Sequence, residues 1–108
     1  MKYQKYLDNQ DSIEGKNIII TGANSGLGYA FASQCAYKGG NVYFACRNKK
    51  KAEIAIKHAK QSTGNDNLFF LEYDQSDFDS IDYFVSNLEN LNIKIDSLVL
   101  NAGIMRPE

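Results

Sequence analysis

The sequence predicts an α/β fold in which a parallel sheet carries helices on both faces. Short runs of β-branched and aromatic residues alternate with longer segments whose apolar residues recur at helical spacing, which is typical of strand–helix–strand units. The strand runs are almost wholly apolar, as expected of parallel strands that are buried on both faces. A chain of 108 residues suffices for one domain with about four strands and three helices.

The first strand and helix follow a polar lead-in, residues 1–15. The lead-in lacks the apolar stretch of a secretory signal, so we expect no such signal. The segment NIIIT, residues 17–21, is the first predicted strand. After a glycine-rich turn, Gly39 and Gly40 are predicted to end the first helix. The predicted apolar face of this helix comprises Leu27, Ala30, Phe31, Gln34 and Cys35.

The remaining chain repeats this alternation. The segments NVYFA, NLFFLEY and DSLVLN are predicted strands at residues 41–45, 67–73 and 96–101. The second helix is predicted to end near Gly64 and to bury Ala52, Ala55, Ile56 and Ala59. Ser76 is predicted to cap a third helix that buries Phe78, Ile81, Val85 and Leu88 and has Asp77 and Asp79 in its first turn. Residues 16–108 are therefore predicted to form one domain.

The turn after the first strand, TGANSGLG (residues 21–28), has three glycines where a helix begins. Glycine weakens helices, so its use here requires another reason. In a doubly wound sheet, ligands bind at the carboxyl ends of the strands, where this turn is expected to lie. Gly22 would form the tight turn, Gly26 would let a pyrophosphate approach the helix N-terminus, and Gly28 would pack against the strand. The surrounding βαβ pattern favours this Rossmann-type site over an ordinary glycine-rich turn.

The spacing T-G-x-x-x-G-x-G resembles that of the short-chain dehydrogenase/reductase family, and the resemblance extends from about Lys16 to the last residue. In the family's order, the segment YFACRN ends the second strand, YDQSD follows the third strand and NAG follows the fourth. The segments TGANSGLG and ACRNKKKAE together look most like the branch that contains the retinol-dehydrogenase-like and related carbonyl-reducing enzymes. The resemblance implies hydride transfer between a nicotinamide cofactor and an alcohol or carbonyl substrate.

The same resemblance implies which residues bind the cofactor. Asn24, Ser25 and Leu27 would lie along the pyrophosphate and ribose, beside the three glycines. Asp74 would contact the adenine edge, with Gln75 next to it. The nicotinamide-side ribose would be contacted by Asn101, Ala102 and Gly103.

The end of the second strand indicates which cofactor is preferred. A carboxylate there would bind the ribose 2′-hydroxyl and repel a 2′-phosphate. The chain instead has Cys46, followed by Arg47 and Asn48 as candidate cofactor residues. A guanidinium holds a phosphate through two hydrogen bonds and stacks on adenine. We therefore predict that NADP(H) is preferred over NAD(H), whereas the three lysines at 49–51 fit a solvated charge run equally well.

The family's proton transfer requires a tyrosine with a lysine four residues later on a helix, together with a serine. None of the 7 tyrosines is followed by lysine at this spacing, so no catalytic residue is assigned. We interpret the chain as the N-terminal cofactor-binding portion of an NADP-dependent oxidoreductase, which needs the missing catalytic part to act on a substrate. The alternative is a non-catalytic nucleotide-binding module that acts as a sensor or assembly piece. A methyltransferase-like domain is disfavoured by the glycine spacing.

Composition excludes several other classes. A net charge of −1 gives no reason to expect nucleic acid or an anionic membrane as a partner. No apolar run is long enough to span a bilayer. One histidine and two separated cysteines do not make a metal site. We interpret His58 as a surface residue, and Cys35 and Cys46 as reduced thiols of a cytoplasmic protein.

Overall fold

Strands and helices alternate along the part of the chain that the structure, a computed structural model, describes: residues 13–74, 78–92 and 94–99. Within these residues the elements are β1 (Asn17–Thr21), α1 (Gly26–Tyr37), β2 (Asn41–Cys46), α2 (Lys49–Thr63), β3 (Leu68–Glu72), α3 (Phe78–Leu91) and β4 (Ser97–Val99). All strand pairs are parallel. The predicted α/β fold class is therefore confirmed.

The sheet has the strand order β3-β2-β1-β4. The chain winds outward from β1 to β3, and β4 then pairs with the other side of β1. The Thr21 hydroxyl donates to the Val99 carbonyl (3.4 Å) near the carboxyl ends of this β1–β4 pair. The winding direction thus reverses between β1 and β4, and the crevice at such a reversal is where doubly wound sheets bind ligands.

The two faces of the sheet carry different helices, because strand side chains point alternately to opposite faces. One face, with Ile20, Phe44 and Leu68, packs against α1 and α2. The other face, with Ile19 and Tyr43 among others, packs against Phe84 of α3. Helices therefore cover both faces, as predicted.

The buried helix faces agree with the sequence expectation fully for α2 and only in part for α1. All four residues predicted to be buried on α2 are buried. On α1, however, Leu27, Ala30 and Gln34 are exposed, and the buried residues are Gly28, Phe31, Ala32, Cys35 and Ala36. The prediction for α1 was right for Phe31 and Cys35 and wrong for the other three residues, because this helix is apolar almost all round and spacing alone admits more than one buried face. Packing against the sheet selected the face that carries the small residues.

The N-terminal and α3 regions add two buried residues that the sequence reading did not select. Ile13 is 1% exposed and packs in the core with residues of α1 and α2. The sequence analysis had included it in the polar lead-in, residues 1–15. Phe84 of α3 is buried, and Leu88 is partly buried beside it. The proposed cap Ser76 and the side chains of Phe78, Ile81 and Val85 lie outside what the structure describes.

The connection after α2 is fixed by one glycine and one asparagine. Gly64 ends α2 with φ +78, as predicted. The Asn65 side-chain amide then donates to the carbonyls of Ala36 (2.9 Å) and Gly40 (2.8 Å). The end of α1 is thereby joined to the segment that leads into β3.

Candidate functional site

The loop between β1 and α1 contains two glycines in the left-handed region, Gly22 with φ +65 and Gly26 with φ +62. The Gly22 N–H donates to the Ala45 carbonyl (2.8 Å), which joins the start of the loop to β2. Residues with a Cβ are strained at such angles. The path of the loop therefore favours glycine at both positions.

The space next to Gly26 is open. A Cβ built on Gly26 would meet no atom of the described chain within 4 Å, and Ser25 and Gly26 are both exposed. Ser25 precedes α1 in an extended conformation, and its side chain makes no capping hydrogen bond. The first N–H groups of a helix have no partner within the helix. The opening can therefore admit an anionic group close to the backbone, as the pyrophosphate of a dinucleotide requires.

The thiol of Cys46 lies beneath this loop, at the end of β2. Burial raises the pKa of Cys46 to about 11, while hydrogen bonds from the backbone N–H groups of Ala23 and Asn24 act in the opposite direction. The thiol is therefore neutral at physiological pH. It also connects the loop to β2 without placing a charge at the strand end.

Arg47 and Asn48 follow Cys46 at this edge and have different surroundings. Arg47 is exposed, and it has no hydrogen-bond or ion-pair partner among the residues that the structure describes. The Asn48 side chain, in contrast, caps α2, because its Oδ1 accepts from the Lys51 N–H (2.9 Å). Asn48 thus has a structural role that the sequence reading did not assign, and Arg47 is available to a ligand.

The structure brings most of the candidate residues to the carboxyl edge of the sheet. Arg47 and Asn48 follow β2, and Asp74 follows β3, where it is half-buried. Leu27 is 49% exposed in the first turn of α1, whereas Gly28 beside it is buried. The loop and this first turn hold Gly22, Asn24, Ser25, Gly26, Leu27 and Gly28. Four further candidates lie outside the described residues: Gln75, Asn101, Ala102 and Gly103.

A groove between α1 and α2 adjoins the loop and was not anticipated from the sequence. It has a volume of about 440 Å³ and is lined by Asn24, Ser25, Tyr29, Lys51, Ile54, Ala55 and His58. The Tyr29 hydroxyl lies 2.7 Å from Nδ1 of His58. His58 is exposed, as expected, but it is paired rather than isolated. The only sequence signal was the helical spacing that places Lys51, Ala55 and His58 on one side of α2.

The described residues offer neither a metal centre nor a membrane-spanning helix. They contain no group of three or more histidine, cysteine, aspartate or glutamate side chains that could hold a metal ion. In the same ranges, no helix has both the length and the apolar character that crossing a bilayer requires.

The other cysteine, Cys35, lies in the core, and burial raises its pKa to about 12.

Comparisons with known proteins agree with this geometry. The sequence model of the family described as short chain dehydrogenase matches residues 16–108. Human (Homo sapiens) retinol dehydrogenase 13 is 37% identical over 95 residues, which are 88% of this chain and 29% of that protein. The chain thus spans less than a third of the length of this relative.

Solved structures show the same likeness. Menthone neomenthol reductase from Mentha piperita aligns with a TM-score of 0.72 and 28% identity, over 82% of this chain and 31% of that one. The N-domain of a bacterial malonyl-CoA reductase, solved with NADP, aligns with a TM-score of 0.72 and 25% identity, over 80% of this chain and 16% of that one. The family resemblance inferred from the motifs is therefore confirmed.

Proposed function

Because the chain belongs to the short chain dehydrogenase family, whose fold binds NAD(P), we propose that it prefers NADP(H) and holds it at the carboxyl edge of the sheet. The observation that carries this proposal is the loop between β1 and α1. It has left-handed backbone at Gly22 and Gly26 and open space where a Cβ of Gly26 would stand. It also lies where the winding direction of the sheet reverses.

Each candidate residue has a role in this proposal. Gly26 and the first turn of α1 accept the pyrophosphate, with Asn24, Ser25 and Leu27 alongside. Gly22 turns the chain out of β1, and Gly28 is buried within the first turn of α1. The Asp74 side chain meets the adenine edge, with Gln75 beside it. The nicotinamide-side ribose is assigned to Asn101, Ala102 and Gly103.

The preference for NADP(H) rests on charge at the end of β2. The Cys46 thiol is neutral there because burial raises its pKa to about 11, so no anion repels a 2′-phosphate. Arg47 follows it, exposed and without a partner among the described residues. The solved malonyl-CoA reductase domain, which is similar to this chain, is described as holding NADP. These observations support Arg47 as the 2′-phosphate ligand.

We further propose that the whole protein is an oxidoreductase acting on an alcohol or carbonyl compound. The nicotinamide ring, when bound, supplies or accepts the hydride. The residues of this chain bind and orient the dinucleotide. Since the chain has no tyrosine with a lysine four residues later, the proton-transfer groups are assigned to a catalytic part beyond it. The free state of both cysteines supports the cytoplasmic location that we propose.

The test is a titration of the full chain with NADP⁺ and NAD⁺ by isothermal calorimetry. Arg47→Ala should weaken NADP⁺ binding about ten- to a hundredfold, the effect of losing one charge-assisted phosphate contact, and weaken NAD⁺ binding much less, since NAD⁺ loses only the stacking on adenine. Lys57→Ala is the matched control, because Lys57 is exposed on α2 and carries the same charge. Unchanged NADP⁺ affinity in Arg47→Ala would show that this residue does not bind the 2′-phosphate.

The alternative function, a non-catalytic nucleotide-binding module, makes a different prediction. Such a module would bind the dinucleotide with the same dependence on Arg47. It would gain no reductase activity when a polypeptide with the family's serine and tyrosine–lysine motif is added. Recovery of activity on that addition supports the oxidoreductase assignment.

A further inference from the structure

The charges of this chain are divided between two consecutive stretches of the sequence. Residues 38–60 contain seven lysines and arginines but a single acidic residue, Glu53. Residues 61–93 contain seven aspartates and glutamates but no lysine or arginine. The net charge of −1 therefore hides a positive and a negative stretch, and the fold decides where each one lies.

The fold places the helices of these two stretches on opposite faces of the sheet. Helix α2 packs through Ala52, Ala55 and Ala59 into the core on one face, whereas α3 packs through Phe84 on the other face. The outer sides of the two helices therefore point away from each other. One molecule can thus contact a different neighbour through each of them.

The outer side of α2 is basic around one apolar side chain. Lys50, Ile54 and Lys57 recur at intervals of four and three residues, which places them on one side of the helix. All three are exposed, and Ile54 is 65% exposed. The acidic Glu53 is 4.0 Å from Lys49 in an exposed pair, so its charge is balanced locally. We call Lys50, Ile54 and Lys57 the basic face.

The outer side of α3 has the opposite charge and an exposed aromatic ring. Tyr83 is 54% exposed, and Ser86 and Glu89 are also exposed. The same helix contains two further acidic residues, Asp79 and Asp82, and no lysine or arginine. We call Tyr83, Ser86 and Glu89 the acidic face.

We propose that the basic face of one molecule binds the acidic face of a second copy of this chain, with Ile54 packed against Tyr83 of that copy. Opposite charges steer the two surfaces together, and the central apolar contact removes both side chains from water. Because the two faces of one molecule lie on opposite sides of the sheet, the contact is head to tail and leaves one face of each kind free. Association therefore continues beyond a dimer as the protein concentration rises.

A second copy fits the charge distribution better than another polyanion does. An anionic membrane or a nucleic acid would cover the basic face alone, whereas a second copy covers both faces with one kind of contact. Lysine is depleted at the centre of protein interfaces, which agrees with a central Ile54 that has lysines around it. The inference uses neither Arg47 nor the loop after β1, so it stands or fails independently of the proposed cofactor site.

Sedimentation velocity of the unmodified chain measures this association at protein concentrations up to about 1 mM, which detects even weak self-association. In about 0.01 M sodium chloride, where the screening length is about 30 Å, we expect complexes larger than a dimer. In about 0.1 M salt the screening length falls to about 10 Å, and association should weaken about tenfold or more. A chain that stays monomeric, or that associates equally at both salt concentrations, overturns the inference.

Two multiple variants each remove one face. The basic-face variant combines Lys50→Gln, Ile54→Gln and Lys57→Gln. The acidic-face variant combines Tyr83→Lys and Glu89→Lys. All five positions are exposed, so both variants should keep the fold, which circular dichroism and urea denaturation check. Each variant alone should lose the association that the unmodified chain shows at the lower salt concentration.

A control variant shows whether the position of a charge matters. Lys16→Gln removes one charge from an exposed position before β1, away from both faces. It should associate like the unmodified chain. If Lys16→Gln loses association as fully as the basic-face variant, the contact depends on net charge and the inference is wrong.

Mixing the two multiple variants gives the decisive result, because each retains the face that the other has lost. An equimolar mixture should form a one-to-one complex and nothing larger, since that complex has no intact face left. A mixture that stays monomeric, or that forms larger complexes, overturns the head-to-tail assignment. If the unmodified chain stays monomeric but sediments with phosphatidylserine-containing vesicles, the basic face belongs to a membrane instead, and the inference is likewise overturned.

Discussion

Gly26 and Gly64 have similar backbone angles but lie at different edges of the sheet. Their φ values are +62 and +78, and a Cβ on either would meet no described atom within 4 Å. Gly26→Ala and Gly64→Ala should therefore each lower the free energy of unfolding by about 1 kcal/mol, the cost of left-handed backbone for alanine. Denaturation in urea measures both changes.

The two substitutions should differ in cofactor binding, because only Gly26 lies in the proposed dinucleotide site. We expect Gly26→Ala to weaken NADP⁺ binding at least tenfold and Gly64→Ala to leave it unchanged. Calorimetric titration of the two variants compares these affinities at matched backbone strain. Equal affinities in the two variants would mean that close approach to Gly26 is not needed for binding.

The buried thiols predict how stability changes at alkaline pH. Burial raises the pKa of Cys35 from 9.0 to about 12. Above pH 9 the unfolded chain loses this proton while the folded chain retains it, so the stabilising contribution is complete below pH 9. It is then lost as the pH rises from 9 towards 12. The free energy of unfolding should fall by at most about 1.4 kcal/mol per pH unit for this thiol.

Cys35→Ala isolates this contribution, because the tyrosines and lysines titrate equally in both proteins. The variant should be less stable at pH 8, since a small cavity replaces the sulfur. Its stability should nevertheless fall less steeply between pH 9 and 11, as measured by urea denaturation at several pH values. Parallel slopes in the two proteins would exclude Cys35 as a source of the alkaline sensitivity.

Among the secondary structure elements, the attachment of α1 to the α2–β3 connection depends on Asn65. Its amide nitrogen donates to the carbonyls of Ala36 and Gly40, and its oxygen accepts from the Asn67 N–H (2.8 Å). Asn65→Ala should lower the free energy of unfolding by about 1–3 kcal/mol. Gln61→Ala, at an exposed position of α2, should change it by less than about 0.5 kcal/mol. Urea denaturation compares the two.

A second substitution distinguishes the donor from the acceptor of Asn65. Asn65→Asp keeps an oxygen for the Asn67 N–H but directs a carboxylate at the Ala36 and Gly40 carbonyls. It should therefore destabilise the fold at least as much as Asn65→Ala. Wild-type stability in Asn65→Asp would show that the two amide hydrogen bonds contribute little.

For the whole molecule, we expect the chain to bind the cofactor without catalysing turnover of a substrate. Positioned acid–base groups contribute about 10²–10⁴-fold to rate, and no tyrosine of this chain has a lysine at the family's spacing. The purified 108-residue chain should therefore bind NADPH without measurable oxidation of it in the presence of aldehydes or ketones. A continuous absorbance assay of NADPH tests this. Robust oxidation that disappears in Gly26→Asp would place the chemistry in this chain.

The local pattern of the sequence determined the order of the elements, the fold class and the position of the loop. β1 lies at the predicted residues 17–21, and α2 buries the predicted residues, because each has a strong, one-sided or fully apolar pattern. The glycine spacing likewise placed the loop at the start of α1. These features are encoded within a few neighbouring residues, so that no distant contact was needed to infer them.

Other features were decided only by the tertiary structure. The buried face of α1 was predicted only in part, because a helix that is apolar almost all round acquires a buried face only by packing on the sheet. The pairing of Tyr29 with His58 joins residues from two helices, and the hydrogen bonds from the loop to the Cys46 thiol link β2 to a segment more than twenty residues earlier. Such contacts depend on how whole elements are placed, because residues distant in the sequence meet only when the sheet and its helices assemble.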